Sequence, residues 1–164
     1  MAPATPAQKS RHDYFHDPAA PAPTLMLPGA GGAVFDEHGR ILLVRRQDNG
    51  RWSLPGGMIR IDESVADATV REVAEETGLQ VKVVSLIGVY SDPQHVAAYT
   101  NGDVRREFFL LCRCQLVGGA LRTDHESLAA RIFAQEDAVG LPLTVGQRQR
   151  IEDAFRDARG GVVR

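Results

Sequence analysis

Residues 57–79 read GMIRIDESVADATVREVAEETGL, and in their second half Arg71-Glu72-Val73-Ala74-Glu75-Glu76-Thr77-Gly78 places three carboxylates within five positions. The stretch is punctuated as a helix: Ser64 with Asp67 three positions on forms a capping pair, and Gly78 stands where a helix-ending glycine is expected. The spacing therefore predicts a helix over about residues 64–77. Projected at 100 degrees per residue, Ala66, Val70, Val73, Ala74 and Thr77 share the side expected to face a core. Glu72, Glu75 and Glu76 gather on the other side, beside Ala68 and Val65. Like charges at i,i+3 and i,i+4 destabilise a helix by about 0.2–0.5 kcal/mol per pair. Glu75 and Glu76 also meet the unfavourable C-terminal end of the helix dipole. Local stability thus opposes the arrangement. A cluster of hard oxygen ligands for Mg²⁺ or Mn²⁺ would compensate for it, whereas a solvated acidic face is the plainer alternative.

The chain around this helix has the composition of one globular domain. It holds 164 residues, 43% hydrophobic and 24% charged, long enough for a single core. Nineteen basic residues against twenty-one acidic ones give a formal charge of −2, which leaves no footprint for duplex nucleic acid or an anionic membrane. No apolar run approaches the roughly eighteen residues of a membrane span, and Lys9 and Arg11 are not followed by a hydrophobic block. A cytoplasmic protein is expected. Cys112 and Cys114 lie two apart in FFLLCRCQLV, on one face of an extended strand. No second Cys or His pair stands near them, so they read as core thiols.

Residues 1–28 carry six of the nine prolines and six alanines, a composition for an arm that is mobile or draped on the surface. DYFH at 13–16 is its exception, because Tyr14 and Phe15 could anchor the arm on this domain or on a neighbouring subunit. GGAVFDEHGRILLVRR then reads as two apolar runs about the turn Asp36-Glu37-His38-Gly39, a hairpin. LPGG at 54–57 breaks the chain before the helix. Beyond it, residues 81–90, 104–117 and 130–135 read as strands, and residues 146–158 as a last helix with Ile151, Ala154, Phe155 and Ala158 at i, i+3, i+4 and i+7. Strands before, between and after two helices predict an α/β fold with a mixed sheet flanked by helices.

The spacing in residues 57–79 carries a family resemblance. Gly57, Glu63, Arg71, Glu72, Val73, Glu75, Glu76, Gly78 and Leu79 match the Nudix hydrolase signature at every specified position, and LLVRR, WSLPGG, the later strands and the last helix follow in the expected order. The resemblance covers about residues 29–158. It implies a Nudix-type α/β/α sandwich with a central mixed β-sheet, occupying residues 29–164 beyond the Pro/Ala-rich arm at 1–28. Asp62 departs from the family, where many members carry glycine, and Arg60 replaces a residue that is often acidic.

The chemistry that the resemblance implies is hydrolysis of a diphosphate linkage in a nucleoside diphosphate derivative, such as ADP-ribose, or in a nucleoside triphosphate. Its cofactor would be Mg²⁺ or Mn²⁺, held by Glu72 and Glu76 with Glu75 next and completed by the carbonyl of Gly57. Such an ion neutralises phosphate oxygens and lowers the pKa of a water. Arg71 and Glu63 would pair to hold the loop against the helix. The general base is Glu72 itself or Glu126 in RTDHESLAARIF, with Asp124 as the rival of Glu126. Arg46, Arg51 and Trp52 are the candidate substrate contacts, a core position being the alternative for Trp52; only one of Arg45 and Arg46 can face the site. His95, Arg105 and Arg106 are further candidates, each reading more readily as a surface residue than as a contact. The resemblance also implies a small nucleotide as ligand and a homodimer.

Other chemistries find no support. GAGGAV at 29–34 matches a dinucleotide fingerprint only at its first two glycines, and no Gly-Lys-Ser/Thr follows for a P-loop. There is no Gly-x-Ser-x-Gly elbow, and the five histidines are scattered. The alternative to an enzyme is a catalytically silent sensor or binding module that keeps the fold.

Overall fold

The structure, a computed structural model, describes residues 11–125, 127–156 and 160–164. In chain order they form β1 (Arg11–Phe15), β2 (Leu25–Phe35), β3 (Ile41–Arg46), β4 (Trp52–Ser53), β5 (Gly56–Met58) and α1 (Val65–Thr77). There follow β6 (Leu79–Tyr90), β7 (His95–Tyr99), β8 (Val104–Gly119), β9 (Ser127–Phe133), α2 (Gln135–Gly140), α3 (Gln147–Phe155) and β10 (Val162–Val163).

β8 organises the sheet. Its apolar run FFLLC has the continuous hydrophobicity of a strand covered on both faces, and it is paired along both edges. On one edge it runs parallel to β2, from Leu25 opposite Arg105 to Phe35 opposite Gln115. On the other it meets β7 over Val104–Arg106 and then β6 from Phe109 to Gly119, both antiparallel. The sheet is mixed, as expected.

The turn after β2 forms through its own side chains: Asp36 accepts the backbone N–H groups of His38 and Arg40 and the Arg40 guanidinium, and Gly39 takes φ +70°. The two strands then part after one ladder pair, Phe35 opposite Ile41. The expected regular hairpin is replaced by a splay, because β3 pairs instead with β9 and with β4 while β2 pairs with β8 and β5.

Strand alternation sends neighbouring side chains into two cores. Leu42 of β3 and Cys112 and Cys114 of β8 join Val73 of α1, Val34, Leu79 and Val81 on one side. Ile41, Leu43 and Leu111 join Trp52, Ile87, Phe109 and, from the last two helices, Ala138, Ile151 and Ala154 on the other. The layering is α/β/α. Both cysteines are buried free thiols, and burial pushes the Cys114 thiol up to about 12. No helix among the described residues is long and apolar enough to cross a membrane.

The arm departs from its expected form. Residues 11–15 are an antiparallel strand on β7, Arg11 opposite Tyr99 through Phe15 opposite His95, and β2 runs across the expected boundary at 28. Tyr14 and Phe15 therefore lie on this domain, and residues 1–10 lie outside the described ones. The cause is a long-range charge network that composition cannot reveal. Arg11 donates to Asp13 and to Glu107 of β8, whose other oxygen accepts from Arg150 of α3. Burial opposes ionisation of Glu107, but the two guanidiniums hold its carboxyl below the usual range.

Asp13, its side chain 5% exposed, is likewise burdened by burial, yet the His95 imidazole and Arg11 hold its carboxyl at about 2 against an ordinary 3.8. A lowered folded-state pKa contributes stability that is full above the ordinary value and lost as the pH falls toward the folded one. The β1–β7 pairing should therefore loosen between about pH 4 and about pH 2. Asp13→Ala should give the same loosening at neutral pH, about 1–3 kcal/mol, read as roughly fivefold to 150-fold acceleration of amide hydrogen exchange in β7. Unchanged exchange in that variant would show that the strand is held by its backbone ladder alone.

Candidate active site

The site is built where α1 lies against the β5 turn. Ser64 caps the helix by accepting from Asp67 N–H, and Asp67 returns a bond to the Ser64 backbone, so the capping box forms as its residues dictate. Gly78 ends the helix at φ +74°. What turns out differently is the face. Ala68, Thr69, Val73, Glu76 and Thr77 are buried while Ala66 is exposed, so the inner side lies nearer the glutamates than the apolar pattern implied. The pattern of small residues is weak, and the packing follows the acid cluster instead.

Arg71 is the hub of that cluster. Its guanidinium donates to both oxygens of Glu63, to the Met58 carbonyl at 3.0 Å, to Glu72 Oε1 at 2.6 Å and to Glu75 Oε2 at 3.1 Å. One arginine thus ties the loop to the helix and holds two of the three glutamates. Glu63 also accepts the Arg60 backbone N–H, and the Arg71 fork with that bond holds its carboxyl at about 2. Arg60 reaches Glu75 at 3.4 Å, so the non-acidic residue at 60 adds positive charge to the rim.

Gly57 lets Glu72 approach closely: a Cβ built there would lie 2.6 Å from the Glu72 carboxylate carbon, so any larger residue would displace that carboxylate. The carboxylate is packed directly on the backbone of β5. Beside it Glu76 is 8% exposed and accepts the Gly56 N–H. Burial first, then the charge of Glu72, pushes its carboxyl well above the usual range, against the pull of Arg46 and the Gly56 N–H; the charge of Asp124 pushes the same way. Arg46 also forks onto Asp48, at 2.9 and 2.6 Å. Arg45, its neighbour on β3, points elsewhere and donates to the Gly50 carbonyl.

The structure therefore brings together Gly57, Glu63, Arg71, Glu72, Glu75 and Glu76, with Arg46 and Asp124 within electrostatic reach of Glu76. Trp52 and Arg51, expected as substrate contacts, both meet the segment before α3. Trp52 is a core residue, 8% exposed and edge-on to Phe133 with ring centroids 4.9 Å apart, and its backbone N–H donates to Pro142. Arg51 donates to the Leu143 carbonyl at 3.3 Å. Glu126 lies outside the described residues. His95, read from sequence as a surface residue, is 4% exposed. Sequence reasoning misses Glu107, whose one signal is a charge placed beside the apolar FFLLC run.

The donor chemistry fits a divalent cation. Two carboxylates meet in a buried space where ionisation of the second is disfavoured, and hard oxygen ligands are what Mg²⁺ and Mn²⁺ take. Among the described residues no three such ligands already converge, since Glu72 and Glu75 both lie on Arg71.

Comparison with known proteins agrees with this geometry. The NUDIX domain family matches residues 26–154. An ADP-ribose pyrophosphatase of Methanocaldococcus jannaschii is 36% identical over 131 residues, 77% of this chain and 72% of that protein. A putative 8-oxo-dGTP diphosphatase of Bacillus subtilis is 46% identical over 125 residues, 76% of this chain and 77% of that one. Among solved structures, an ADP-ribose pyrophosphatase of Streptococcus suis superposes with a TM-score of 0.67 at 27% identity, covering 84% of this chain and 98% of its own.

A carboxyl whose folded-state pKa is raised makes the fold less stable as pH climbs from the ordinary value, 4.5, toward the folded one, because the folded state holds the proton that the unfolded state releases. In EDTA, Glu76→Gln should remove this dependence and raise the neutral-pH stability by about 1 kcal/mol, or some 2–4 °C for a chain of this size. Thermal unfolding from pH 5 to 8 checks it. A variant that melts below wild type throughout would mean that Glu76 is stabilised as an anion by the protein alone.

Proposed function

Because this chain belongs to the Nudix hydrolase family, we propose that it is a divalent-metal-dependent pyrophosphohydrolase that cleaves the diphosphate linkage of a nucleoside diphosphate derivative of the ADP-ribose kind, or of a nucleoside triphosphate. The observation that carries the reading is Glu76, buried against the Gly56 N–H beside Glu72 with its ionisation disfavoured. A protein that keeps such an acid buried beside a second carboxylate has kept a place for positive charge. Two of the relatives named above are ADP-ribose pyrophosphatases, and the 8-oxo-dGTP relative supports the triphosphate branch.

Glu72, Glu76 and Glu75, with the Gly57 carbonyl, would hold Mg²⁺ or Mn²⁺. When bound there, the cation supplies charge neutralisation for the phosphate oxygens and acidifies a water. The remaining tasks fall to the chain. Arg71 holds the Glu72 and Glu75 carboxylates and, through Glu63 and the Met58 carbonyl, keeps the β5 loop at the helix. Arg46, held by Asp48 and within electrostatic reach of Glu76, would contact phosphate. Proton removal from the attacking water falls to Glu72 or to the β8–β9 loop, where Asp124 is in electrostatic reach of Glu76 and Glu126 is close to it in sequence.

The test is product analysis over nucleoside triphosphates, ADP-ribose, dinucleoside polyphosphates and sugar nucleotides, each with Mg²⁺, Mn²⁺ or EDTA. Turnover of one class that EDTA stops is the expected result, with Glu72→Gln and Glu76→Gln each losing at least the roughly 10–100-fold typical of disturbing a metal site. Full turnover in EDTA, or in both variants, would reject the metal assignment. No turnover with any of these compounds, with nucleotide binding retained, would mark a silent binding module.

A further inference from the structure

β8 opens on a basic pair, Arg105 and Arg106, and strand alternation sends the two to opposite faces of the sheet. Arg105 lies opposite Leu25 of β2 and Ala97 of β7, two residues before Glu107, which meets Arg11 and the α3 residue Arg150. It therefore projects on the α3 face. Met58 of β5 projects there too, because it lies opposite Gly29, where an added Cβ would strike the Phe109 ring of the α3-side core. The two side chains meet: Arg105 Nη1 donates to Met58 Sδ at 3.2 Å. Met58 follows Gly57, whose carbonyl is a proposed cation ligand, and its own carbonyl is held by Arg71 at 3.0 Å. The Arg105 guanidinium thus stands at the rim of the acid cluster, across β5 from Glu72.

Its position is fixed from behind. The guanidinium lies 4.4 Å over the Tyr99 ring, which Arg11 also approaches at 5.9 Å, and Nη2 donates to Asp103 at 2.7 Å. Asp103 is itself set by the β7–β8 turn, where the Tyr99 N–H donates to the Asp103 carbonyl, the Gly102 N–H donates to the Tyr99 carbonyl, and Asn101 bonds both the backbone and the carboxylate of Asp103. Little rotational freedom is left for a ligand to remove.

Held this firmly, Arg105 is still poorly satisfied. A guanidinium has five donors, and its strong acceptors are carboxylate and phosphate oxygens. Among the described residues Asp103 is its one such acceptor. Nη1 is spent on a thioether, a weak acceptor, and Nε is buried with no hydrogen-bond partner among the described residues. Its exposed neighbours on this face, Leu25 and Met58, offer nothing stronger. Arg11, on the same face, differs: Asp13, Glu107 and the Tyr99 hydroxyl all accept from it. The unfilled arginine is the one beside the site.

We infer that Arg105 is a phosphate-binding residue, its guanidinium exchanging the Met58 thioether for an oxygen of the nucleotide's phosphate chain. The bound cation would take one phosphate beside the α1 carboxylates, and Arg105 the next along the β5 rim. The assignment rests on the pyrophosphohydrolase reading for the identity of the ligand, but binding tests it separately. The full chain with Mg²⁺ is titrated by calorimetry with α,β-methylene-ADP, whose bridge resists hydrolysis, with inorganic pyrophosphate and with adenosine, which carries no phosphate. Thermal unfolding controls for folding. Arg105→Gln should weaken both phosphate ligands, and not adenosine, roughly tenfold to hundredfold, the range of a lost hydrogen bond to a charged group. Arg105→Lys keeps the charge and loses the fork, so it should recover part of that loss. With a substrate found by product analysis, the loss in Arg105→Gln should fall on KM rather than kcat. Should the Gln variant fail to fold, the Lys variant decides, by weakening the phosphate ligands and not adenosine.

Wild-type protein that binds neither phosphate ligand, or affinities and KM indifferent to Arg105, overturns the assignment. So does a loss confined to pyrophosphate, which would mark a site for a free anion alone. Equal weakening of adenosine, or a matching fall in the Mn²⁺ affinity of the ligand-free protein, would make Arg105 a brace for the β5 loop and overturn it too. If Arg105→Gln releases both phosphate ligands while no diphosphate is hydrolysed with any metal, the contact stands and the reaction fails.

Discussion

The five-way grip of Arg71 is the constraint from which the rest of the site follows. A guanidinium offers its donors in one rigid plane, and here that plane is filled by Glu63, the Met58 carbonyl, Glu72 and Glu75. A lysine could place its charge at the same point but could not span four partners in this geometry. Because the fork reaches the β5 loop and the helix together, it fixes the gap between them, and Glu72 then rests directly on the backbone at Gly57, where a larger residue would displace its carboxylate. The helix can carry three neighbouring acids because this cation lies among them; Glu76, which Arg71 does not reach, is buried with the Gly56 N–H as its donor.

That arrangement explains which parts are legible in the sequence. The helix and both its caps are readable because their determinants lie within four residues of one another: Ser64 with Asp67, and Gly78 after Thr77. The strands β6, β8 and β9 are readable from apolar runs, and the cysteines from their place in one. The family resemblance, carried by nine residues between Gly57 and Leu79, supplies the site's expected members and the layering of the fold.

Most of the failures are matters of distance along the chain. β1 exists because Arg11 and Asp13 find Glu107 and His95, residues more than 80 positions away, and no window over a Pro/Ala-rich leader contains that information. The hairpin expectation rests on a sound turn, but the partners of β2 and β3 come from the other half of the sequence. Trp52 can be weighed as stacking surface or core from its type alone; only the position of Phe133 decides for the core. Helical projection puts Glu76 on the outer face because it treats a carboxylate as a group that seeks water, and here the site draws it inward.

The parallel alignment of β2 and β8 has a consequence for how the molecule is assembled. Leu25 lies opposite Arg105, 80 residues along the chain, and the whole acid-bearing helix falls inside the loop that this pairing closes. Contacts of such sequence separation make folding slow, because the entropy of closure is lost before the contacts compensate for it. No early local fragment can therefore hold β5 and α1 at their final spacing against the central sheet. The three carboxylates neighbour one another as soon as the helix forms, but the β5 backbone on which Glu72 and Glu76 rest is fixed against the central sheet only when β2 has paired with β8.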